Sequence, residues 1–296
     1  MQLTRRAALG SLVALGVTGC AASTGMESSR VPSRAPGVPE PIRLTYGEHP
    51  SQFGELWLPA GDGPVRGVVM VLHGGFWMQS YGLELGRPLA ADLANAGLAA
   101  WNVEYRRLGG GGGWPATFQD VAAALDTLAD AGQRAAGGRL DLARVVSVGH
   151  SAGGHLATWL AARPKLPPEI GGGGVVRLHG VVSQAGVLDL VAAALTRVGG
   201  SVVPELLGGR PDEVPERYAM GSPAALVPHG VRVVCVHGSA DRIVPIAQSE
   251  RYVSAASAAG DVTELDRLPG TDHFAPIDPA SQAWARCRDA VLRLLG

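Results

Sequence analysis

The sequence predicts an α/β protein with a doubly wound, mostly parallel sheet of about eight strands and helices on both faces. Short apolar, β-branched runs of the kind that form buried parallel strands recur at residues 65–72, 98–103, 143–149, 178–184 and 231–236. Helical patterns lie between or after them, at residues 82–96, 115–131, 152–162, 245–259 and 279–295. Such alternation of strand and helix is typical of a parallel sheet covered by helices on both sides.

Two further segments complete the predicted fold. At the start, "IRLTYG" and "GELWLP" alternate apolar and polar residues, which predicts an antiparallel hairpin. Residues 185–228 break the strand and helix rhythm and indicate short helices and turns. Because ligands bind at the carboxyl ends of the strands in such sheets, we expect residues 185–228 to form a small cap near the functional site.

Charge and cysteine content exclude several function classes. A formal net charge of −1 argues against nucleic acid or an anionic membrane surface as the main partner. Cys235 lies in an apolar run and Cys287 in a helical pattern, and two cysteines without close spacing make neither a zinc site nor a disulfide framework. We therefore predict two buried free thiols.

The first 20 residues, "MQLTRRAALGSLVALGVTGC", have the pattern of an export signal. Arg5 and Arg6 precede an apolar run over residues 7–17, which is shorter than the roughly 20 residues that a membrane-spanning helix needs. The "TRRAALG" stretch resembles a twin-arginine leader, and "VTGC" resembles the lipobox of bacterial lipoproteins, in which the cysteine is acylated. We expect export, to the periplasm or as a lipoprotein anchored to the membrane at Cys20. An ordinary cleaved signal with an incidental cysteine is the alternative.

Behind the leader, residues 21–41 are rich in Ser, Thr and Pro, which predicts a flexible linker. The remaining residues, 42–296, are enough for one large α/β domain.

A glycine-flanked serine stands where a predicted strand meets a predicted helix, in "VVSVGHSAGGHLATW". Ser151 is open to two interpretations, a nucleophile or a helix cap. With 42 glycines in 296 residues, the bare G-x-S-x-G pattern is weak evidence. The preceding strand, the following helix and the glycine on each side favour a nucleophile elbow, a strained turn that presents the hydroxyl and places the amide of Ala152 beside it.

A serine nucleophile needs a base, usually a histidine oriented by a carboxylate. After an elbow of this type, the acid and then the histidine follow along the chain. Asp241 follows the strand in "VRVVCVHGSADRIVP", and His273 follows the last apolar strand in "VTELDRLPGTDHF". We predict these two as acid and base. Asp272 and Asp189 remain alternative acids, although Asp272 adjoins His273 and Asp189 is expected to hold the cap.

Three other histidines are predicted to be structural. His179 and His237 lie in or beside strands, and His155 is expected to pack against the elbow one helical turn after Ser151. No partner ligands share the helical face of His155, so the sequence predicts no metal site.

The segment "VVMVLHGGFWMQ" supplies a second oxyanion donor at the end of the first long strand. Its glycines let the backbone approach a substrate carbonyl and aim amide groups at it. In the loop that begins at His73 and Gly74, we predict that the amide of Gly75 or Phe76 acts beside that of Ala152. A simple glycine turn after a strand is the alternative interpretation.

These motifs carry a family resemblance. From about residue 43 to its end, the chain resembles an α/β-hydrolase of the hormone-sensitive-lipase-like and kynurenine-formamidase-like (BD-FAE-like) esterases. The resemblance rests on "HGGFW", "GHSAGGH", "SQAGVLDL", "GSPAAL", "GSADRIVP" and "DHF", which occur in the expected order.

The resemblance implies acyl transfer through Ser151, His273 and Asp241 without a metal or organic cofactor. The "HGG-x-W" form resembles kynurenine formamidases and bacterial esterases that remove acetyl or feruloyl groups from plant polysaccharides. Because tryptophan breakdown is normally cytoplasmic, export favours a carboxylic ester hydrolase acting on small, acetyl or aryl esters, with aryl formamide hydrolysis as the alternative. Candidate pocket residues are Phe76, Trp77, Trp114, His150 and Asp189, together with residues 185–228.

Two other classes of protein stay open. An exported binding protein could have kept the fold and lost the chemistry, but the complete set of predicted groups argues against it. An exopeptidase of the same fold normally carries an extra domain or a carboxylate clamp for a substrate amine, and neither is visible in the sequence.

Overall fold

A computed structural model describes residues 40–296. The predicted leader, Cys20 and residues 21–39 of the predicted linker lie outside the described residues. The described chain forms one eight-stranded sheet. Its strands are β1 (Ile42–Thr45), β2 (Phe53–Trp57), β3 (Val68–Leu72), β4 (Ala99–Val103), β5 (Val145–His150), β6 (Gly180–Gln184), β7 (Arg232–Gly238) and β8 (Thr263–Leu268).

Strand order confirms the predicted sheet. Across the sheet the strands run β1-β2-β4-β3-β5-β6-β7-β8. The pairs β1–β2 and β2–β4 are antiparallel, as the predicted hairpin requires, and every other pair is parallel. The chain therefore has the α/β-hydrolase fold, and the carboxyl ends of β3, β5, β6, β7 and β8 meet at one edge.

Helices cover both faces of the sheet. The α-helices of the described chain are α1 (Arg87–Asn95), α2 (Ala116–Asp126), α3 (Ala131–Ala135), α4 (Ala152–Ala162), α5 (Leu190–Leu195), α6 (Val202–Leu207), α7 (Pro215–Gly221), α8 (Ala247–Ala258) and α9 (Gln282–Leu295). Helix α4 matches its predicted range. The patterns at 82–96 and 115–131 are each divided, the first into a 3-10 turn and α1, and the second into α2, a 3-10 turn and α3.

The strands contribute alternate residues to two hydrophobic layers. In β3, Val68, Met70 and Leu72 pack with the layer that contains α2 and α4, whereas Val69 and Val71 pack with α1 and α9. Successive side chains of a strand point to opposite faces, so a strand between two helical layers must be apolar at every position. All five residues of β3 are accordingly buried.

Both predicted free thiols are confirmed as buried. Cys235 lies in β7 and Cys287 in α9, and neither forms a disulfide. Burial raises the pKa of each thiol to about 12, so neither is a thiolate near neutral pH. None of the helices over residues 40–296 is both long and apolar enough to cross a membrane.

The segment 185–228 contains short helices, as the sequence predicts. Helices α5, α6 and α7 and a 3-10 turn at Pro223–Ala225 follow β6. The side chain of Asp189 caps α5 by accepting a hydrogen bond from the amide of Ala192 at 2.9 Å. The amide of Trp114 donates to the carbonyl of Leu206 at 2.7 Å, so the segment packs against the loop that precedes α2.

Candidate active site

Ser151 lies in the turn between β5 and α4 and has the strained backbone of a nucleophile elbow. Its φ is 54° and its ψ is −116°, a region that side-chain-bearing residues rarely occupy. A Cβ added at Gly149 would lie 2.2 Å from the carbonyl oxygen of Gly153, and one added at Gly153 would lie 2.1 Å from that of Leu72. The flanking glycines are therefore required because backbone passes where a side chain would stand.

The structure contradicts the interpretation of Ser151 as a helix cap. Its side chain accepts no capping hydrogen bond from the first turn of α4. Instead, its amide donates to the carbonyl of Gln184 at 2.8 Å and its carbonyl accepts from the amide of His155 at 3.0 Å. The backbone is thus held on both sides while the hydroxyl has no structural partner among the described residues. Ser151 is 2 % exposed.

Asp241 and His273 are brought together as predicted. The ring Nδ1–H of His273 donates to Asp241 Oδ2 at 2.6 Å, and the two side chains are 4 % and 1 % exposed. Asp241 Oδ1 accepts from the amides of Ile243 and Val244 at 2.8 and 2.9 Å. Both carboxylate oxygens are therefore hydrogen-bonded inside the protein.

A second histidine shares the same carboxylate. His237 Nε2 lies 3.3 Å from Asp241 Oδ2 and 2.9 Å from the carbonyl of Val244, and its Nδ1 accepts from the hydroxyl of Ser249 at 2.8 Å. Burial raises the pKa of Asp241, but hydrogen bonds from His237 and His273 outweigh it and hold the pKa well below its usual range. His237 is thus structural, as predicted, but it also contacts the predicted acid.

The two alternative acids have other partners. Asp272 is exposed, and its Oδ1 accepts from the amides of Phe274 and Ala275, both at 3.0 Å. The carboxylate of Asp189 caps α5, which accounts for this residue without a pocket or an acid role. Of the three aspartates, Asp241 is the one hydrogen-bonded to the His273 ring.

Two residues at the sheet edge connect the elbow to the loop that carries His273 and Pro276 (the histidine loop). His150 Nε2 donates to the carbonyl of His273 at 2.8 Å, and the two rings lie 4.5 Å apart between centroids. The side-chain amide of Gln184 donates to the carbonyl of Pro276 at 2.8 Å. These contacts place the histidine loop beside Ser151, although no hydrogen bond within residues 40–296 joins the Ser151 hydroxyl to His273.

His150 is not the pocket residue that the sequence predicted. It is 5 % exposed, and burial lowers the pKa of its ring to about 3. The neutral ring donates its N–H to the His273 carbonyl. The ring therefore packs against the histidine loop and supports it, and is not positioned to contact a substrate.

The loop after β3 has an unusual backbone that suits its predicted donor function. Gly75, Phe76 and Trp77 all have positive φ, of 104°, 53° and 54°. A Cβ added at Gly75 would lie 2.3 Å from that of Tyr81. Within the described residues, the amides of Gly75, Phe76 and Ala152 donate to no acceptor. The amides are thus unpaired among the described residues, and their function as oxyanion donors stays a prediction.

Trp77 is a core residue and not an open pocket wall, contrary to the prediction. Its side chain is fully buried and its ring meets that of His155 edge-on at 5.2 Å. His155 Nε2 donates to the carbonyl of Gly221 at 2.8 Å, which ties α4 to the cap. Phe76 is half-buried, and its ring lies 2.5 Å from the position of a Cβ added at Gly199. Phe76 therefore contacts the segment 185–228.

Sequence reasoning missed a buried charged cluster beside the loop that follows β3. Glu104 and Arg107, in "VEYRR" after β4, lie 3.2 Å apart, and Glu104 Oε1 is 3.1 Å from His73 Nε2. Two adjacent arginines and a glutamate after a strand were the available signal, but it does not say which histidine they meet. No group of three or more His, Cys, Asp or Glu side chains among residues 40–296 could hold a metal ion.

Comparison with known proteins finds similar sequences and similar folds. The BD-FAE family model matches residues 55–255. Kynurenine formamidase of Salmo salar is 23 % identical over 89 % of this chain and 85 % of its own length. A probable isoprenylcysteine alpha-carbonyl methylesterase of Oryza sativa is 26 % identical over 78 % of this chain, which spans only 56 % of that protein. The structure of esterase B from Lactobacillus rhamnosis superposes with a TM-score of 0.74 at 21 % identity, covering 89 % and 86 % of the two chains.

Proposed function

This chain belongs to the BD-FAE family, and on that premise we propose that it is a serine hydrolase that cleaves carboxylic esters. The observation that carries the proposal is the strained elbow at Ser151 with the buried Asp241–His273 pair beside it. A backbone strain of roughly 1–3 kcal/mol persists only where the surrounding structure maintains it, and such strain is concentrated at functional sites. The similarity to esterases in sequence and fold supports the same activity.

In the proposed mechanism, His273 Nε2 takes the hydroxyl proton of Ser151 as the oxygen attacks the ester carbonyl. The carbonyl oxygen becomes an oxyanion that accepts hydrogen bonds from the amides of Ala152 and of Gly75 or Phe76. His273 then gives its proton to the departing alcohol, which leaves an acyl-enzyme. Water repeats the attack, releases the carboxylic acid and returns the proton to Ser151.

Asp241 orients the imidazole and stabilises its protonated form in this mechanism. The low pKa of Asp241 keeps it ionised throughout, so the proton stays on His273 and does not pass to the carboxylate.

Aryl formamide hydrolysis is the second candidate, because a kynurenine formamidase is among the similar proteins. The same three side chains would open a formamide through the same acyl-enzyme. A hydrolysis panel separates the two candidates: p-nitrophenyl esters of rising acyl length, acetylated xylan, a feruloyl ester and N-formylkynurenine. Higher kcat/KM for N-formylkynurenine than for every ester would reverse the order of the candidates.

A fluorophosphonate probe tests the serine mechanism directly. We expect stoichiometric labelling of the folded protein at Ser151, and loss of both labelling and hydrolysis in Ser151→Ala. Ser147→Ala is the matched control, because that serine lies four residues earlier, within β5, and donates to the carbonyl of Ala157. Folded protein that is neither labelled nor active would instead favour a binding protein of the same fold.

We also propose export and lipidation at Cys20, from the leader sequence alone. The lipid would then contact the membrane, and residues 21–41 would serve as the tether between the lipid and the domain. The partner of the domain would be a small-molecule ester. Labelling with a clickable fatty acid in wild type and Cys20→Ser, followed by fractionation, tests this proposal. Recovery of full-length protein in the cytoplasm with an intact N-terminus would contradict it.

A further inference from the structure

His73 is enclosed between β3 and the loop that follows β4. Its side chain has no exposed surface. The ring stacks on that of Tyr105 with centroids 4.4 Å apart and planes 9° from parallel, and the Tyr105 hydroxyl donates to the His73 carbonyl at 2.8 Å. The ring is thus fixed in both position and orientation.

Each ring nitrogen of His73 faces an acceptor. Nδ1 lies 2.8 Å from the carbonyl oxygen of Gly74, and a carbonyl oxygen can only accept. Nε2 lies 3.1 Å from Glu104 Oε1. A neutral imidazole has one N–H, so one of these two contacts would set a lone pair against an oxygen unless Glu104 carried a proton.

Glu104 is an ionised carboxylate. Its Oε1 accepts from the amide of Tyr105 at 2.9 Å and its Oε2 from the amide of Leu83 at 3.1 Å. The guanidinium of Arg107 lies 3.2 Å from Oε1. Burial raises the pKa of this carboxyl, but the hydrogen bond from His73 Nε2, the charge of Arg107 and the amide of Tyr105 outweigh it and lower the pKa.

We propose that His73 carries both ring protons, and that this buried imidazolium is a positioning residue for the oxyanion hole. The inference rests on the proposed ester hydrolysis. The Nε2–H donates a hydrogen bond to the carboxylate of Glu104, which holds the ring, and the Nδ1–H donates to the Gly74 carbonyl.

The second hydrogen bond aims a predicted oxyanion donor. The carbonyl of Gly74 and the amide N–H of Gly75 belong to one planar trans peptide group and point in opposite directions. Fixing the oxygen toward His73 therefore turns the Gly75 N–H away from the ring. A cation on the carbonyl end also polarises the peptide group, which strengthens the N–H as a donor to a developing negative charge.

A second carboxylate and an arginine lie beside Glu104, and a neutral ring lies near Gly74. The carboxylates of Glu104 and Glu84 lie 2.7 and 2.6 Å from the position of a Cβ added at Gly82, and an Arg107 nitrogen lies 3.1 Å from that position. On the other side, His150 Nδ1 lies 2.9 Å from the position of a Cβ added at Gly74, and its ring is neutral. Glu84 is exposed and its charge is screened by solvent, so the carboxylate of Glu104 is the buried anion that faces the imidazolium.

Nitrogen NMR of the imidazole rings tests the charge without reference to activity. In uniformly ¹³C,¹⁵N-labelled enzyme at pH 7.5, with His73 assigned through its own backbone, we expect both ring nitrogens at imidazolium shifts with attached protons. His150 serves as the internal neutral reference. One unprotonated nitrogen on His73 overturns the proposal, and no variant has to fold for this result.

Two conservative variants test the positioning role. His73→Asn keeps a donor near the Nδ1 position but loses the charge, and His73→Gln keeps a donor near Nε2 but loses the Gly74 contact. We expect kcat to fall about tenfold in the first and about a hundredfold in the second, with KM nearly unchanged. If the wild type shows an imidazolium at His73 but both folded variants keep the wild-type kcat, the positioning role is overturned. Full fluorophosphonate labelling of Ser151 in the wild type shows separately that the proposed function holds.

Discussion

Replacing Asp241 by asparagine tests whether this carboxylate directs the proton of His273. Asp241 accepts at both oxygens: Oδ2 from His273 at 2.6 Å and His237 at 3.3 Å, and Oδ1 from the amides of Ile243 and Val244. Asparagine has one oxygen and one NH₂ group. In either orientation the NH₂ group therefore faces N–H groups whose hydrogen bonds the carboxylate had accepted.

The least costly response is a change of tautomer at His273. With the oxygen kept on the Ile243 and Val244 amides, the NH₂ of the asparagine would donate to Nδ1 of His273, and the ring proton would move to Nε2. Nε2 is the atom that must accept the serine proton, so the base would be lost. We expect kcat to fall about 10³- to 10⁴-fold, which corresponds to roughly 4–5.5 kcal/mol of transition-state stabilisation.

The assay is steady-state hydrolysis of p-nitrophenyl acetate at pH 7.5, with unfolding in urea to verify the fold. KM should change by less than about threefold, because the Asp241 side chain is buried at 1 % exposure and does not reach a bound ester. Asp272→Asn is the matched control, since this exposed aspartate only caps the amides of Phe274 and Ala275. Retention of more than a tenth of kcat in Asp241→Asn, or an equal loss in Asp272→Asn, would refute the reasoning.

Two predictions concern stability. Gly153→Ala places its Cβ 2.1 Å from a carbonyl oxygen of β3 and should lower the free energy of unfolding in urea by more than about 3 kcal/mol, whereas Gly63→Ala, with open space around it, should change it by less than about 0.5 kcal/mol. Equal effects would contradict the tight elbow. Burial lowers the pKa of His150 to about 3 and of His155 to about 4, from 6.5. The unfolded chain therefore binds more protons as the pH falls from 6.5 to 4, and the free energy of unfolding should drop by up to about 1.4 kcal/mol per pH unit for each ring. The slope should be shallower in His155→Gln than in the wild type, and an equal slope in the two proteins would contradict the burial effect.

Much of the site could be predicted because its signals are local. The elbow needs a strand, a small residue on each side of Ser151 and a helix, all within a short stretch of chain. Asp241 and His273 each follow a recognisable strand, and the carboxyl ends of parallel strands meet at one edge. Their hydrogen bond at 2.6 Å follows from that common edge.

The pocket residues could not be predicted in the same way. Trp77 follows the predicted oxyanion glycines, which suggests a substrate contact, yet its positive φ of 54° accompanies a ring that is fully buried beside His155. His150 adjoins Ser151, but its ring donates a hydrogen bond to the carbonyl of His273, which is 123 residues away in the chain. Adjacency in sequence does not say on which side of the backbone a ring will pack.

The sequence by itself determined the order of strands and helices, the elbow, and which aspartate and histidine are the candidate acid and base, because these depend on side-chain period and on residues close along the chain. Only the tertiary structure decided which distant groups support them: Gln184 under the histidine loop, His237 on Asp241 and Glu104 on His73. The physical reason is that a buried polar atom must find a partner wherever the fold brings one within about 3 Å. That choice is made by the packing of segments that are remote in sequence.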